Sequence, residues 1–271
     1  MKKRLLRIEE YFQHLSQNNR KALSLFVTAG YPTIESTVPL VVALAKAGAD
    51  VIELGIPFSD PIADGPTIQL SSEVALRNGV TLQKTLEMAK EIRKQSDVPL
   101  VLMGYANPIY AFGLQRFLNK CKDIGVDGTI IADLPLEESD EYRALAQQND
   151  VAIIFLAAPT TSPERLVQLD RASTGFLYCV SITGVTGERQ SLASQAENFL
   201  KQARTCAKKN PLLVGFGIST PDDSKRIASV SDGVIIGSAL IKTIQEAQNN
   251  HVVEDAMKFV QSMRKALDSH G

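Results

Sequence analysis

The chain has 271 residues, of which 44% are hydrophobic and 22% charged, and its formal net charge at pH 7 is −1. These proportions are ordinary for a globular protein, and the balanced charge provides neither a basic surface for nucleic acid nor an acidic tail. The three cysteines, Cys121, Cys179 and Cys206, form no close pair, which argues against a disulfide framework and against a zinc site. A small molecule or another protein is therefore the expected partner.

The chain begins with a basic segment, residues 1–15, that contains Glu9 and Glu10 and lacks the long apolar centre of a signal peptide. It predicts an amphipathic helix. No later stretch approaches the roughly 18 apolar residues of a membrane span. Unpaired cysteines suit a reducing compartment, so we expect a cytoplasmic protein.

Short apolar runs alternate with amphipathic stretches along the rest of the chain. Runs rich in Val, Ile and Leu and bounded by Gly, Pro, Asp or Asn predict strands that are buried on both faces. They are 22–30, 49–57, 99–105, 128–135, 151–159, 175–182, 211–218 and 232–240. Stretches with helical spacing and capping residues predict helices. They are 33–48, 81–96, 114–125, 137–149, 162–173, 194–209, 220–230 and 252–267.

Eight strands, each followed by a helix, predict an α/β protein of the (β/α)8 TIM-barrel type. We expect a single domain over 1–271, with an extra N-terminal helix and additional short helices after strands 2 and 8. An open doubly wound sheet is disfavoured because the run GFGIST carries Thr220 where the third glycine of G-x-G-x-x-G would stand. The longest connections, 58–79 and 183–195, follow strands 2 and 6. Loops after the strands carry the active site in this fold.

Glu53 is the first candidate for chemistry. Strand alternation directs Ile52 and Leu54 towards the helices and Glu53 into the barrel. Burial raises the pKa of a carboxyl group towards neutrality, where the group can both give and take a proton. The alternative is a structural glutamate whose oxygens are satisfied by hydroxyl groups inside the barrel.

Asp64 is a second carboxylate in the loop after the same strand. From the same rim it could orient a substrate N–H group or share in proton transfer. The alternative is an aspartate that forms a turn or caps a helix, which is common beside Gly-Pro. Tyr105 and Tyr178 lie near strand ends and are either hydroxyl partners or core aromatics.

Glycines after strands 7 and 8 indicate an anion site. Gly217 precedes a helix, and Gly237 precedes a further helical turn. Glycine lets backbone N–H groups approach an anion, and the helix N-terminus adds a favourable dipole. Either motif alone could simply allow a tight turn. Together, at the usual phosphate position of this fold, they favour a phosphorylated substrate.

Certain residue types are missing from the strand ends. The histidines, His14, His251 and His270, lie in the terminal segments, and the C-terminal halves of the strands contain no lysine. A Schiff-base aldolase needs such a lysine, and a metal-dependent aldolase needs a cluster of ligands. Carbon chemistry here should therefore rest on carboxylates and hydrogen bonds.

Motifs spread over nearly the whole chain resemble those of the tryptophan synthase alpha subunit family. They occur in the family's order, and the second is long and specific: LFVTAGYP, IELGIPFSDPIADGPTIQ, MGYANPI, ADLPLEE, SITGVTGER, and GFGIS followed by GSA. The resemblance implies a carbon–carbon lyase on a TIM barrel. Its reaction is the retro-aldol cleavage of indole-3-glycerol phosphate to indole and glyceraldehyde 3-phosphate, a step of tryptophan biosynthesis.

The resemblance also implies roles for individual residues. Glu53 matches the catalytic glutamate that protonates the ring carbon bearing the side chain and assists proton removal from the adjacent hydroxyl. Asp64 matches the aspartate that holds the indole N–H, and Thr186 matches the threonine that contacts it when the loop closes. Some members have an arginine where this chain has Ile182, so no arginine contact is carried over.

Further matches concern substrate binding. The family's indole pocket corresponds to Phe26, Met103, Ile130, Ala132 and Leu156. The tyrosine beside the catalytic glutamate corresponds to Tyr178. The phosphate end of the site corresponds to Gly187, Phe216, Gly217, Gly237 and Ser238.

The resemblance finally implies a partner. Alpha subunits join a beta subunit that carries pyridoxal phosphate, form an α2β2 complex with it and pass indole to it through a tunnel. The pairs Asp60–Pro61 and Asn107–Pro108 match the contact region. The alpha chain itself is expected to bind neither pyridoxal phosphate nor a metal ion.

Three other functions are compatible with parts of this sequence. Indole-3-glycerol phosphate synthase, another phosphate-binding barrel, needs a lysine at a strand end that this chain lacks. A stand-alone indole-releasing lyase would share every catalytic residue, and only activity without a beta subunit separates it. An activating subunit with a lost active site is disfavoured by the presence of Glu53 and Asp64.

Overall fold

The structure is a computed structural model that describes residues 5–180, 189–215, 217–247 and 251–269. Strands and helices alternate through these ranges. The strands are β1 (Ala22–Thr28), β2 (Val51–Gly55), β3 (Leu100–Gly104), β4 (Gly128–Ile131), β5 (Ala152–Ile153), β6 (Leu156–Ala157), β7 (Leu177–Val180), β8 (Leu212–Gly215) and β9 (Gly233–Ile236). In the described ranges no helix is both long enough and apolar enough to cross a bilayer.

The helices surround these strands. They are α1 (Arg7–Gln17), α2 (Ile34–Lys46), α3 (Pro66–Arg77), α4 (Leu82–Arg93), α5 (Ala106–Phe112), α6 (Leu114–Ile124), α7 (Asp140–Gln148), α8 (Pro163–Ala172), α9 (Arg189–Cys206), α10 (Pro221–Ala228), α11 (Ser238–Glu246) and α12 (Val252–Asp268). A 3-10 turn, Leu136–Glu138, precedes α7.

The strands form one parallel sheet in the order β5-β4-β3-β2-β1-β9-β8-β7-β6. β5 and β6 are two halves of one bent strand, separated by Ile154 and Phe155. The N–H of Ile154 donates to the carbonyl of Thr129 in β4, and the carbonyl of Phe155 accepts from the N–H of Tyr178 in β7, both at 3.1 Å. These two bonds close the sheet. The nine strands are therefore the eight barrel strands that the sequence predicts, and the TIM-barrel prediction is confirmed.

The strands are buried on both faces, as their apolar runs predict. In β2, Ile52 and Leu54 belong to the layer between sheet and helices, whereas Val51 belongs to the cluster inside the barrel. Side chains alternate along a strand, so Glu53 shares the inner face with Val51. Its side chain is fully buried.

Helix α1 covers the N-terminal end of the barrel. Its residues Ile8, Phe12 and Leu15 are buried and join the inner cluster. The rings of Phe12 and Phe176 lie 5.7 Å apart between centroids. Burying each of these large side chains contributes roughly 1.5–3 kcal/mol. The predicted N-terminal helix is thus confirmed, and it covers one mouth of the barrel.

Buried aspartates hold the N-terminal ends of the strands in register. Asp127 accepts from the backbone N–H of Leu100 at 2.7 Å, from Arg7 at 2.5 and 2.8 Å and from Arg93 at 2.8 Å. Asp50 accepts in the same way from a backbone N–H of β1 at 2.8 Å. A carboxylate that receives several donors stabilises the charge that it buries.

The additional helices predicted after barrel strands 2 and 8, which are β2 and β9, are α3 and α11. Helix α5 was not predicted. Its seven residues are too few for a clear periodicity, and Pro108 discourages a helix assignment. Proline is tolerated in the first turn because the N–H groups there have no helical partner. The free N–H of Ala106 is capped by Asp133 at 2.7 Å, a residue from another loop.

We expect Asp127→Asn to lower the free energy of unfolding by about 3 kcal/mol, because it leaves the largely buried Arg93 without its charge partner. Urea unfolding at pH 7 measures this. The matched control is Asp150→Asn, at an exposed aspartate 3.9 Å from Lys122, which should change stability by less than about 0.5 kcal/mol. Equal effects of the two substitutions would contradict the role of Asp127.

Candidate active site

A cavity of about 550 Å³ opens at the C-terminal ends of the strands. Many of the predicted site residues line it: Phe26, Asp64, Met103, Ala132, Leu156, Tyr178, Gly217, Gly237 and Ser238. Glu53 and Ile130 are instead fully buried in the barrel interior. Thr186, Gly187 and Phe216 lie outside the described residues. The predicted site residues that the structure describes therefore lie either around the cavity at one end of the barrel or in the barrel interior beneath it.

Glu53 has an unusual hydrogen-bond environment. Its Oε1 accepts from the Ser24 hydroxyl at 2.6 Å, whereas its buried Oε2 has no hydrogen-bond partner within the described ranges. Burial raises the pKa of Glu53 from 4.5 to about 7, although the bond from Ser24 acts in the opposite direction. A carboxyl group with this pKa can donate and accept a proton near neutral pH.

The structural interpretation of Glu53 accounts for only one of its two oxygens. A hydroxyl group satisfies Oε1, but leaving a buried polar atom such as Oε2 unpaired costs roughly 1–3 kcal/mol. Such an atom needs an explanation in a folded protein. A substrate group that approaches Oε2 would supply the missing partner.

Asp64 does not use its side chain as a turn former or helix cap. Gly65 is the N-cap of α3, and no side chain caps that end among the residues described. Instead, Asp64 Oδ2 accepts from the Tyr105 hydroxyl at 3.0 Å, and the same hydroxyl accepts from the N–H of Ala63 at 3.1 Å. Tyr105 is thus a hydroxyl partner. Burial raises the pKa of Asp64, and the bond from Tyr105 opposes this rise.

Tyr178 stands near both carboxyl groups. Its hydroxyl packs against Gly215, where an added Cβ would lie 2.8 Å from that oxygen. Burial raises the pKa of Tyr178 well above its ordinary value, and the negative fields of Glu53 and Asp64 raise it further. Tyr178 is therefore a neutral hydroxyl group, and the small residue opposite leaves room for its ring.

The N-terminus of α11 is open to the cavity. Gly237 is its N-cap, no side chain within the described ranges caps it, and Gly237, Ser238 and Ala239 line the cavity. The backbone N–H groups of the first turn have no helical partner. They and the helix dipole favour an anion at this position.

The N-terminus of α10 is closed by its own residues. Asp223 accepts from the N–H groups of Ser219 at 3.3 Å and Thr220 at 3.1 Å, and Thr220 accepts from the N–H of Asp223. A carboxylate already occupies this end, so α10 offers less to a phosphate than the sequence suggests. Gly217, just before it, has φ of +51° and lines the cavity, and no atom lies within 4 Å of an added Cβ.

Ser24 and several cavity residues are not among the site residues predicted from the sequence. A serine on the inward face of an apolar strand is a signal, but its distance from Glu53 depends on the pairing of β1 with β2. Ile68, Ile235 and Lys242 also line the cavity. In the part of the chain that the structure describes, no group of three or more His, Cys, Asp or Glu residues is arranged to hold a metal ion.

Comparison with known proteins connects this site to one family. The family model for the tryptophan synthase alpha chain matches residues 12–268. The tryptophan synthase alpha chain of Geotalea uraniireducens is 45% identical over 98% of this chain and 99% of its own length. That of Geobacter sulfurreducens is 45% identical over 96% of this chain and 98% of its own.

Solved structures give the same result. Tryptophan synthase subunit alpha from Legionella pneumophila has a TM-score of 0.86 and 39% identity, over 98% of this chain and 100% of that chain. A chain of Mycobacterium tuberculosis tryptophan synthase has a TM-score of 0.88 and 33% identity, over 97% of this chain and 99% of that chain. The chain therefore belongs to the tryptophan synthase alpha chain family, whose members are lyases that cleave indole-3-glycerol phosphate.

Proposed function

We propose that Glu53 and Asp64 carry out the retro-aldol cleavage of indole-3-glycerol phosphate in the cavity at the C-terminal end of the barrel. One observation carries the proposal: the Glu53 carboxyl group is fully buried, one of its oxygens has no partner among the described residues, and its pKa is raised to about 7. Such a group is suited to transfer protons in both directions at neutral pH.

The proton of Glu53 completes a closed cycle in this reaction. The neutral carboxyl group first protonates the ring carbon that bears the side chain, which leaves a positive charge on the ring system. The resulting carboxylate then takes the proton of the adjacent hydroxyl group, and a carbonyl forms there. The bond between ring and side chain breaks, and its electrons restore the aromatic ring. The proton has returned to Glu53.

Asp64 stabilises the charged intermediate. Its carboxylate accepts the ring N–H, so that the positive charge of the protonated ring develops next to a negative group. A preorganised group of this kind contributes most where water is excluded, and removing one typically costs 10²–10³-fold in rate. Tyr105 supports this role, because its hydroxyl donates to Asp64 and opposes the rise in pKa that burial causes.

The remaining predicted residues bind the two ends of the substrate. The apolar side chains of Phe26, Met103 and Leu156 surround the indole ring. The phosphate binds at the N-terminus of α11, where the backbone N–H groups beyond Gly237 have no helical partner. This arrangement is supported by one cavity that includes both the apolar residues and the helix end.

We further propose that the chain works with a beta subunit that carries pyridoxal phosphate. Asp60 and Asn107, in the two pairs that match the family's contact region, are exposed. Ile62 lies beside the first pair and is 84% exposed, so it offers a partner an apolar side chain at this surface. The α2β2 assembly and the transfer of indole belong to this proposal.

Replacing the acid/base residue should slow cleavage strongly. We expect Glu53→Gln to lower kcat by about 10²–10⁴-fold, because the amide keeps the size of the side chain but cannot transfer the proton. Indole release from indole-3-glycerol phosphate measures this. Thermal unfolding and glyceraldehyde 3-phosphate binding should stay close to those of the unmodified chain. Glu35→Gln, at an exposed glutamate of α2, is the matched control. A fully active Glu53→Gln enzyme would remove Glu53 from the mechanism.

The pH dependence should report the protonation state of Glu53. Its pKa is raised to about 7, and the first step needs the protonated form, so kcat/KM should fall as pH rises through about 7. The substrate phosphate has a second pKa of about 6, so its ionisation contributes to the acid side of the kcat/KM profile. A rise in kcat/KM through pH 7 would mean that the ionised form starts the reaction.

A beta subunit should raise the rate of indole release. Indole formation by the purified chain is compared with and without a tryptophan synthase beta subunit loaded with pyridoxal phosphate and serine. We expect slow release alone and a strong increase with the partner. Fast release that the partner does not change would indicate a stand-alone lyase instead.

A further inference from the structure

We propose that Ser24 is a positioning residue for the lyase reaction: its hydroxyl holds Oε1 of Glu53 and leaves Oε2 as the atom that exchanges protons with the substrate. The proposal rests on the assignment of proton transfer to Glu53. It adds a residue that neither the sequence motifs nor the cavity lining single out, because Ser24 is fully buried and does not reach the cavity surface.

Strand register puts the serine below the carboxyl group. In the pairing of β1 with β2, Phe26 is opposite Glu53 and Ser24 is opposite Val51. Phe26 lines the cavity, so Ser24, two residues earlier on the same face, is one layer closer to the covered end of the barrel. Its hydroxyl therefore reaches Glu53 from the side away from the substrate. The distance of 2.6 Å between Ser24 Oγ and Glu53 Oε1 is that of a strong hydrogen bond.

This bond determines which carboxyl oxygen carries the proton. The serine hydroxyl has one hydrogen, and in donating it to Oε1 it keeps that oxygen an acceptor. The proton of the neutral carboxyl group then resides on Oε2, the atom without a partner in the described residues. The same bond restrains rotation of the carboxyl group and so fixes the position of Oε2.

The surroundings of Glu53 offer little else that stabilises its ionised form. The inner cluster contributes apolar side chains from β2 itself and from the rest of the barrel wall: Val51, Val101, Ile130, Ile154, Leu213 and Ile235. The titratable groups nearby are Tyr178 on β7, whose own pKa is raised by the fields of Glu53 and Asp64, and Asp64 on the loop after β2. Neither carries a positive charge, so neither favours the ionised form of Glu53 by its charge. The Ser24 hydroxyl does lower the pKa of Glu53.

The test is the pH profile of Ser24→Ala. A donor to the ionised carboxyl lowers its pKa, so removing the donor should raise it and move the fall in kcat/KM to higher pH by about one unit. We also expect kcat to fall roughly tenfold with KM little changed, because proton transfer is affected and substrate contacts are not. Ser24→Thr keeps the hydroxyl and should restore the original position of the fall. If the threonine methyl prevents folding, Ser24→Cys, with its weaker donor, should give an intermediate position.

A matched control separates positioning from packing. Ser231→Ala removes another buried serine, whose hydroxyl donates to the carbonyls of Ile227 and Gly233 near the N-terminal end of β9. It should change stability and leave the pH profile unaltered. In the double variant of Ser24→Ala with Glu53→Gln, the serine change should cause no further loss of activity, because Ser24 acts through Glu53.

Two different results would overturn two different statements. An unshifted pH profile and unchanged kcat in Ser24→Ala, together with an inactive Glu53→Gln, would overturn the role of Ser24 and keep that of Glu53. An active Glu53→Gln enzyme would overturn the proposed mechanism itself. A shift in Ser24→Ala that Ser24→Thr reverses would establish the serine as the residue that orients the carboxyl group.

Discussion

The exclusion of water from the interior of a closed parallel barrel is the constraint on which the chemistry depends. Strand alternation directs every second side chain inward, and nearly all of these are apolar, so a carboxyl group among them loses its solvation. Glu53 occupies such a position on β2 and is fully buried. Its raised pKa and its unpaired oxygen both follow from this location. In the proposed mechanism, the rest of the site adds binding and orientation to this buried carboxyl group.

The two ends of the barrel divide stability from function. At the N-terminal end, polar groups are paired: Asp127 receives two arginines and a backbone N–H, and α1 covers the apolar interior. At the C-terminal end, the first turn of α11 opens to the cavity and has no side-chain cap among the described residues. Paired groups hold the strands in register. Unpaired ones retain capacity for bonds to a substrate, at a cost in stability that the paired end offsets.

The carboxyl groups of Glu53 and Asp64 have the same hydrogen-bond arrangement. Each has one oxygen held by a hydroxyl group from another element, Ser24 for Glu53 and Tyr105 for Asp64. A single donor orients the carboxyl group and moderates its pKa, while the other oxygen stays available. Two donors on Glu53 would stabilise its charge and reduce its strength as a base, and no donor would leave it undirected.

Local pattern by itself determined much of this protein. Short apolar runs bounded by Gly, Pro, Asp or Asn predicted the strands, and the inward direction of Glu53 followed from the alternation of side chains with Ile52 and Leu54 beside it. The glycines after β8 and β9 predicted an anion site at that end of the barrel, because the turns that need glycine are set by a few consecutive residues. The closure of the α10 N-terminus is local as well, because Thr220 and Asp223 form a capping box three residues apart, whereas the N-terminus of α11 has no side-chain cap among the described residues. Tertiary structure alone brought Asp133 to cap α5 and Ser24 to Glu53. These contacts join residues 27 to 29 positions apart through the pairing of neighbouring strands, and one strand's sequence carries no record of its partner's register.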